Sequence, residues 1–174
     1  MQDTEKDFSR RLVNSVASIT AQLRNASGCE VVADVIKEGL RRPEHQEQWV
    51  LAHYNLSGNN RCWVREVFLQ TAGQVKALAR IIVPESELML MPWLKELGNQ
   101  PLGNILYKAY SPERQLMSRE QLPFAQIQTQ FSMRARYCAR EAGFRLRKGY
   151  WFRRSVLLLP GARPVHCVVT ECFF

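Results

Sequence analysis

Apolar residues recur at steps of three and four over the first 24 positions: Phe8, Leu12, Val16, Ile19 and Leu23. This spacing predicts one amphipathic helix over residues 4–24, capped by Asp3 or Thr4 and stopped by NASG. The pattern then changes. CEVVADVIKEG predicts a strand, LRRPEHQEQW a polar loop that covers something, and two runs rich in β-branched residues predict a hairpin over residues 61–83 around TAGQ. Residues 85–107 read as short helical pieces broken by Pro92 and by GNQPLG. That second break leaves free backbone N–H groups near a helix start, which suits either a bound anion or an ordinary connection. The stretch 112–133 carries no decisive period, and RARYCAREAGFRLRKG reads as helix or strand followed by a turn. GYWFRRSVLLL and PVHCVVTECFF predict a second hairpin around PGAR. The elements imply an α+β fold, an antiparallel β-sheet with helices and flap-like loops packed against it.

Charges interrupt three of these strands. In CWVREVFLQ, period two puts Trp63, Arg65, Val67 and Leu69 on one face and Cys62, Val64, Glu66 and Phe68 on the other. Both faces are apolar, so at least one charge is expected on a buried side. A two-residue turn at Ala72 and Gly73 pairs positions whose numbers sum to 145 and sets Arg65 opposite Arg80. Facing guanidiniums repel unless an anion joins them. The other solutions are a carboxylate from elsewhere in the chain, or a turn longer by one residue, which moves the arginines to different faces. In the last strand Cys167, Val169, Glu171 and Phe173 share a face, which adds one carboxylate to an apolar row. Two arginines and a glutamate inside three apolar strands make either a polar pocket or a structural ion cluster.

The length of 174 residues fits one domain, residues 1–174, able to bury roughly two thirds of its unfolded surface. Five cysteines without C-x-x-C spacing, and only three histidines, read as reduced thiols and argue against a zinc site. The charged start MQDTEKDFSRRL has no apolar signal region, and no run approaches membrane-spanning length; a cytoplasmic protein without membrane insertion is expected. The net charge of +8 is concentrated in residues 134–154, where eight basic residues interleave with Tyr137, Phe144, Tyr150, Trp151 and Phe152. Such a mixture suits single-stranded nucleic acid, but no nucleic-acid-binding signature accompanies it, and a basic face equally draws small polyanions.

The hydrolase elbow, phosphate-binding loop, dinucleotide fingerprint and metalloprotease motif are all missing. The pieces that remain are SIT at 18–20, IKEG at 36–39, CWVREVFL at 62–69, ARIIVP at 79–84, LGNQPLGNILY at 97–107, WFRRS at 151–155 and VVTECF at 168–173. In this order they resemble the chorismate lyase family, the 4-hydroxybenzoate synthases of ubiquinone biosynthesis. The resemblance implies a cofactor-independent, metal-free elimination of pyruvate from chorismate by a cytoplasmic protein, expected to be a monomer. It implies that Arg65 grips the carboxylate of the aromatic ring, that the backbone N–H of Leu102 helps, and that Ile19 stands where the family has a methionine in a similar backbone role. It further implies that Glu171 faces the ring oxygen and that Arg80 is the family's second-strand arginine; the mechanism expected from these positions has Arg80 stabilise charge on the departing enolpyruvyl group and the pocket raise the Glu171 pKa toward that of a useful acid. Ala79 replaces the family's usual glycine, and the stretch between PLG and WFRRS is longer and more basic than the family pattern. Two other functions compete: a non-catalytic binder of aromatic acids on the same fold, as in the effector domains of some transcription regulators, and a nucleic-acid binder using residues 134–154.

Overall fold

A computed structural model describes residues 2–56, 61–160 and 164–174. Six strands form one antiparallel sheet: β1 Val31–Arg41, β2 Cys62–Thr71, β3 Gln74–Pro84, β4 Glu113–Pro123, β5 Gly149–Leu159 and β6 Val165–Phe173, in the order β1-β2-β3-β6-β5-β4. The α+β class expected from the pattern is therefore observed. Both expected hairpins form, although the PGAR turn lies mostly outside the described residues.

The N-terminal stripe makes two helices, α1 Gln2–Asn14 and α2 Ile19–Ser27, in place of one. Serines break it. Ser15 Oγ accepts from Ala17 N at 3.1 Å and Gln22 Nε2 at 2.8 Å, while Ser18 caps α2 by accepting from Ala21 N. Side-chain acceptors that satisfy nearby N–H groups compete with the helix ladder. Val16, central to the expected stripe, is consequently 62% exposed.

The predicted polar loop contains helix α3, His45–His53, which a Glu44/Glu47 capping box starts. The ambiguous stretch 112–133 supplies the edge strand β4, whose many polar and charged residues suit a strand with one free edge. Short helices α4 Glu85–Leu88, α5 Leu102–Ala109 and α6 Phe124–Ile127, and then α7 Met133–Glu141, fill the remaining connections.

The β2–β3 register departs from expectation. Thr71 pairs with Gln74 across a turn in which Ala72 and Gly73 both have positive φ, but a bulge follows, and Leu69 pairs with Ala77. Lys76 is the extra residue. Beyond it Arg65 opposes Ile81 and Glu66 opposes Arg80, so the two arginines occupy opposite faces of the sheet. The proposed Arg65–Arg80 pair does not exist.

On the back face Glu66, Arg80, Thr170 and Arg154 form one row across β2, β3, β6 and β5. Arg80 donates to Glu47 of α3 at 2.7 and 3.0 Å and to Glu66 at 2.8 Å. Glu66 also accepts from the N–H and hydroxyl of Ser132, the N-cap of α7. Arg154 donates to Thr170, to Gln46 of α3 and to Gln130. Burial alone pushes the Arg80 pKa down, but Glu47 and Glu66 outweigh it and raise it. The row thus fastens two helices to the sheet with paired charges.

Removing one member of such a buried network strands the others. Arg80→Leu is expected to lower unfolding stability in urea by about 3–5 kcal/mol, and the triple variant Glu47→Gln, Glu66→Gln, Arg80→Met to recover most of that loss. An Arg80→Leu protein as stable as the parent would sink this account.

Candidate functional site

The front face of the sheet carries two hydrophobic clusters. One, around Trp63, Ile81, Val83, Leu157 and Val169, packs under the segment from Leu88 to Leu106; the other, around Val67, Leu69, Ala79 and Phe173, packs under α1 and α2. A cavity lies between them. Its floor is Ala33, Val67, Leu69, Ala79, Ile81, Leu157 and Val169, and its only charged lining residues are Arg65, Arg114 and Glu171. An apolar chamber with a few convergent polar groups suits a small organic ligand.

The roof is made by two helix starts. Ser18, Ile19 and Thr20 open α2, and Pro101, Leu102 and Gly103 open α5; all six line the cavity. They meet closely because position 103 has no side chain: a Cβ there would stand 2.8 Å from Thr20 Oγ1 and 3.0 Å from Ser18 Oγ. Arg24 Nη2 donates to Asn104 Oδ1 at 2.7 Å and ties the helices together. First-turn N–H groups at two helix starts favour an anion.

Arg65 is fully buried. Its Nη1 donates to Glu38 at 2.9 Å, and its Nη2 donates to the carbonyls of Gly98 at 2.5 Å and Gln100 at 3.4 Å. These last two bonds hold the loop that leads into α5, so the arginine both lines the cavity and positions Leu102. Its Nε is buried and has no partner among the described residues. Burial lowers the Arg65 pKa against the opposing pull of Glu38.

Glu171 sits one strand pair along from Arg65. Arg65 aligns with Ile81 and Val169, whereas Glu171 aligns with Ala79 and Val67. Two strand spacings across and two residues along put the Cα atoms roughly 12 Å apart. Glu171 Oε2 accepts from Arg153 Nε at 2.5 Å and from Arg114 Nη1 at 3.1 Å. Burial by itself would push the carboxyl up, but the two guanidiniums outweigh it and hold Glu171 below its ordinary value. The expected rise is therefore reversed, and Glu171 is a carboxylate at neutral pH.

Ile19, Arg65, Leu102 and Glu171 thus line one cavity. Arg80 does not; the bulge turns it to the back face, where Glu47 and Glu66 occupy it. Arg114, Tyr107, Arg153 and Glu38 were not among the residues expected at the site. Arg114 lies on a polar edge strand whose sequence has no clean alternation, so no local signal marked it. Arg153 stood out in sequence only as part of the basic segment, but it is fully buried and also donates to the carbonyls of Leu12 and Ser15 at the end of α1. Arg154, Phe144, Tyr150 and Phe152 are buried as well, which removes much of the basic-aromatic surface that nucleic acid would need.

Among the described residues no group of three or more His, Cys, Asp or Glu side chains is arranged to hold a metal. Cys62, Cys167 and Cys172 are buried, and burial pushes the Cys62 and Cys167 thiols up to about 12, the state of unreactive core cysteines. Among the described residues no helix is long and apolar enough to cross a membrane.

The effector domain of PhnF from Mycobacterium smegmatis has the same fold, with a TM-score of 0.63 at 13% identity over 91% of this chain and 89% of that one. By sequence, a protein of Halorhodospira halophila named "Probable chorismate pyruvate-lyase" is 31% identical over 165 residues, 95% of this chain and 80% of the relative. One of the same name from Methylococcus capsulatus is 35% identical over 98 residues, 56% of this chain and 59% of that protein. The model of the family described as chorismate lyase matches residues 8–174. The chain belongs to the chorismate lyase family.

Proposed function

We propose that the protein is a chorismate lyase, which eliminates pyruvate from chorismate and leaves 4-hydroxybenzoate. The observation that carries this reading is the pairing of the buried, unpartnered Arg65 Nε with two helix starts over one apolar chamber. A ring carboxylate supplies the missing acceptor for Nε, and the backbone N–H groups of Ile19 and Leu102 share its charge.

In the reaction the C–O bond between ring and enolpyruvyl group breaks, and the hydrogen on the neighbouring ring carbon passes to the enolpyruvyl methylene. The ring becomes aromatic, the enolpyruvyl group becomes pyruvate, and no oxidant enters. The protein's part is positioning and electrostatics. Arg65 holds one end of the ring, and the ionised Glu171 accepts a hydrogen bond from the ring hydroxyl at the other. A carboxylate held below its ordinary pKa is not a proton donor at neutral pH, which favours direct hydrogen transfer within the substrate.

Incubation with chorismate in EDTA should yield pyruvate and 4-hydroxybenzoate in equal amounts, and Arg65→Ala should lower kcat/KM about 100-fold or more. Tight 4-hydroxybenzoate binding with no consumption of chorismate would replace the lyase with a non-catalytic binder.

Glu171→Gln should cost about tenfold or less in kcat, because general acid-base catalysis typically contributes 10²–10⁴-fold and Glu171 is not assigned that role. A loss within that larger range would return proton transfer to Glu171. The same variant tests linkage. A carboxyl whose folded pKa lies below its unfolded value, about 4.3, stabilises the fold above that value, and the stabilisation disappears as pH falls through the folded pKa. Wild-type stability should fall more steeply with acid than that of Glu171→Gln, as read by urea denaturation from pH 7 down to pH 3.

A further inference from the structure

The charges around Glu171 do not balance. Its carboxylate carries one negative charge and receives two guanidiniums, Arg153 from β5 and Arg114 from β4. Arg153 opposes Glu171 directly across the β5–β6 pair, has side-chain exposure of 0% and donates through Nη1 to the carbonyls of Leu12 and Ser15 at the end of α1, while its Nη2 finds no acceptor among the described residues. It is the structural partner, and it neutralises the carboxylate by itself. Arg114 is then a surplus cation with a side chain only 3% exposed, and it lines the cavity where Arg153 does not. A buried charge in excess is costly unless an anion completes it.

The bonds of Arg114 leave one edge of its fork open. Its Nε donates to Tyr107 Oη at 3.2 Å, and its Nη1 donates to Ser155 Oγ at 2.6 Å and to Glu171 at 3.1 Å. Nη2 has no acceptor among the described residues. Tyr107 in turn donates to the carbonyl of Val16, in the bend between α1 and α2. The guanidinium is therefore steered by both roof elements, α5 through Tyr107 and the α1–α2 bend through Val16. Because Nη1 reaches Glu171 on β6, the group lies over β5 and β6, roughly two strand spacings, about 10 Å, from the strand of Arg65.

We infer that Arg114 is a substrate-binding residue that takes the second carboxylate of a dicarboxylate ligand, the one borne on the group that leaves. This rests on the proposed function: chorismate has one carboxylate on the ring and one on the enolpyruvyl group, whereas 4-hydroxybenzoate has only the first. Arg65 serves the carboxylate common to both molecules, and Arg114 serves the carboxylate that distinguishes them. The role that the sequence reading gave to Arg80 falls to a residue on a different strand. Arg114 also supplies positive charge beside the ether oxygen as the C–O bond breaks, so its contribution grows toward the transition state.

Two ligands separate this from a structural role. Affinities for chorismate and 4-hydroxybenzoate are measured by calorimetry, at low temperature for chorismate, together with kcat/KM. Arg114→Gln is expected to lower chorismate kcat/KM about 100-fold or more while 4-hydroxybenzoate affinity stays within about threefold, and Arg65→Ala to weaken both ligands. Tyr107→Phe, which removes the acceptor at Nε but keeps the guanidinium, should give a smaller loss confined to chorismate. Arg114→Lys keeps the charge but not the fork, so it should raise the chorismate KM with 4-hydroxybenzoate unchanged, and it covers the case in which the Gln variant does not fold. Equal losses for both ligands in the Arg114 variants, or unaltered chorismate turnover, would overturn the assignment. A wild-type protein that binds chorismate without consuming it would refute the lyase reading alone, since the affinity contrast still tests Arg114. A wild-type protein that binds neither ligand would refute both.

Discussion

Arg65, Arg80, Arg153 and Arg154 are all buried on central strands, and a buried guanidinium is costly unless acceptors meet most of its hydrogen bonds. This constraint organises the protein on both faces of the sheet. Each of the four reaches off the sheet to a covering element. Arg80 and Arg154 hold α3, Arg153 holds the end of α1, and Arg65 holds the loop that enters α5. These hydrogen bonds thus decide where the covering elements rest on an otherwise apolar surface.

The two faces differ in how far their charges are satisfied. Behind the sheet Glu47 and Glu66 together accept three bonds from Arg80, and Arg154 finds three neutral acceptors. In front, Arg65 Nε and Arg153 Nη2 are buried without a partner among the described residues, and Arg114 brings a second guanidinium to Glu171. A completed network suits a scaffold, whereas an incomplete one beside an apolar chamber suits a ligand with acceptors of its own. The bulge at Lys76 separates the two by turning Arg65 to the front and Arg80 to the back. Without the extra residue both arginines would share a face, with the repulsion that the simple hairpin register implies.

Residues 97–107 link fold to site. Arg65 grips their carbonyls from below, Ala33 N donates to the carbonyl of Asn99, and Gly103 lets α5 start against α2. Leu102 and Gly103 therefore line the chamber as a consequence of how the two helices pack. Tyr107, one turn further along the same helix, carries the connection to Arg114.

Five of the six strands, both hairpins, the α+β class and the family were legible in the sequence, since period-two apolar runs and short local motifs are properties of neighbouring residues. The sequence also marked Arg65 and Glu171, because a charge inside an apolar row is conspicuous without knowledge of its partner. Where partners come from distant segments, local pattern was insufficient. The α3 segment read as a loop because its buried face includes Glu47, whose reason for burial is Arg80, 33 positions away. Arg114 was invisible on a polar edge strand, and the direction of the Glu171 pKa depended on two arginines that only the assembled sheet brings to it. Tertiary structure alone decided the face of each charge, because a one-residue bulge reverses the alternation and leaves no trace in apolar periodicity.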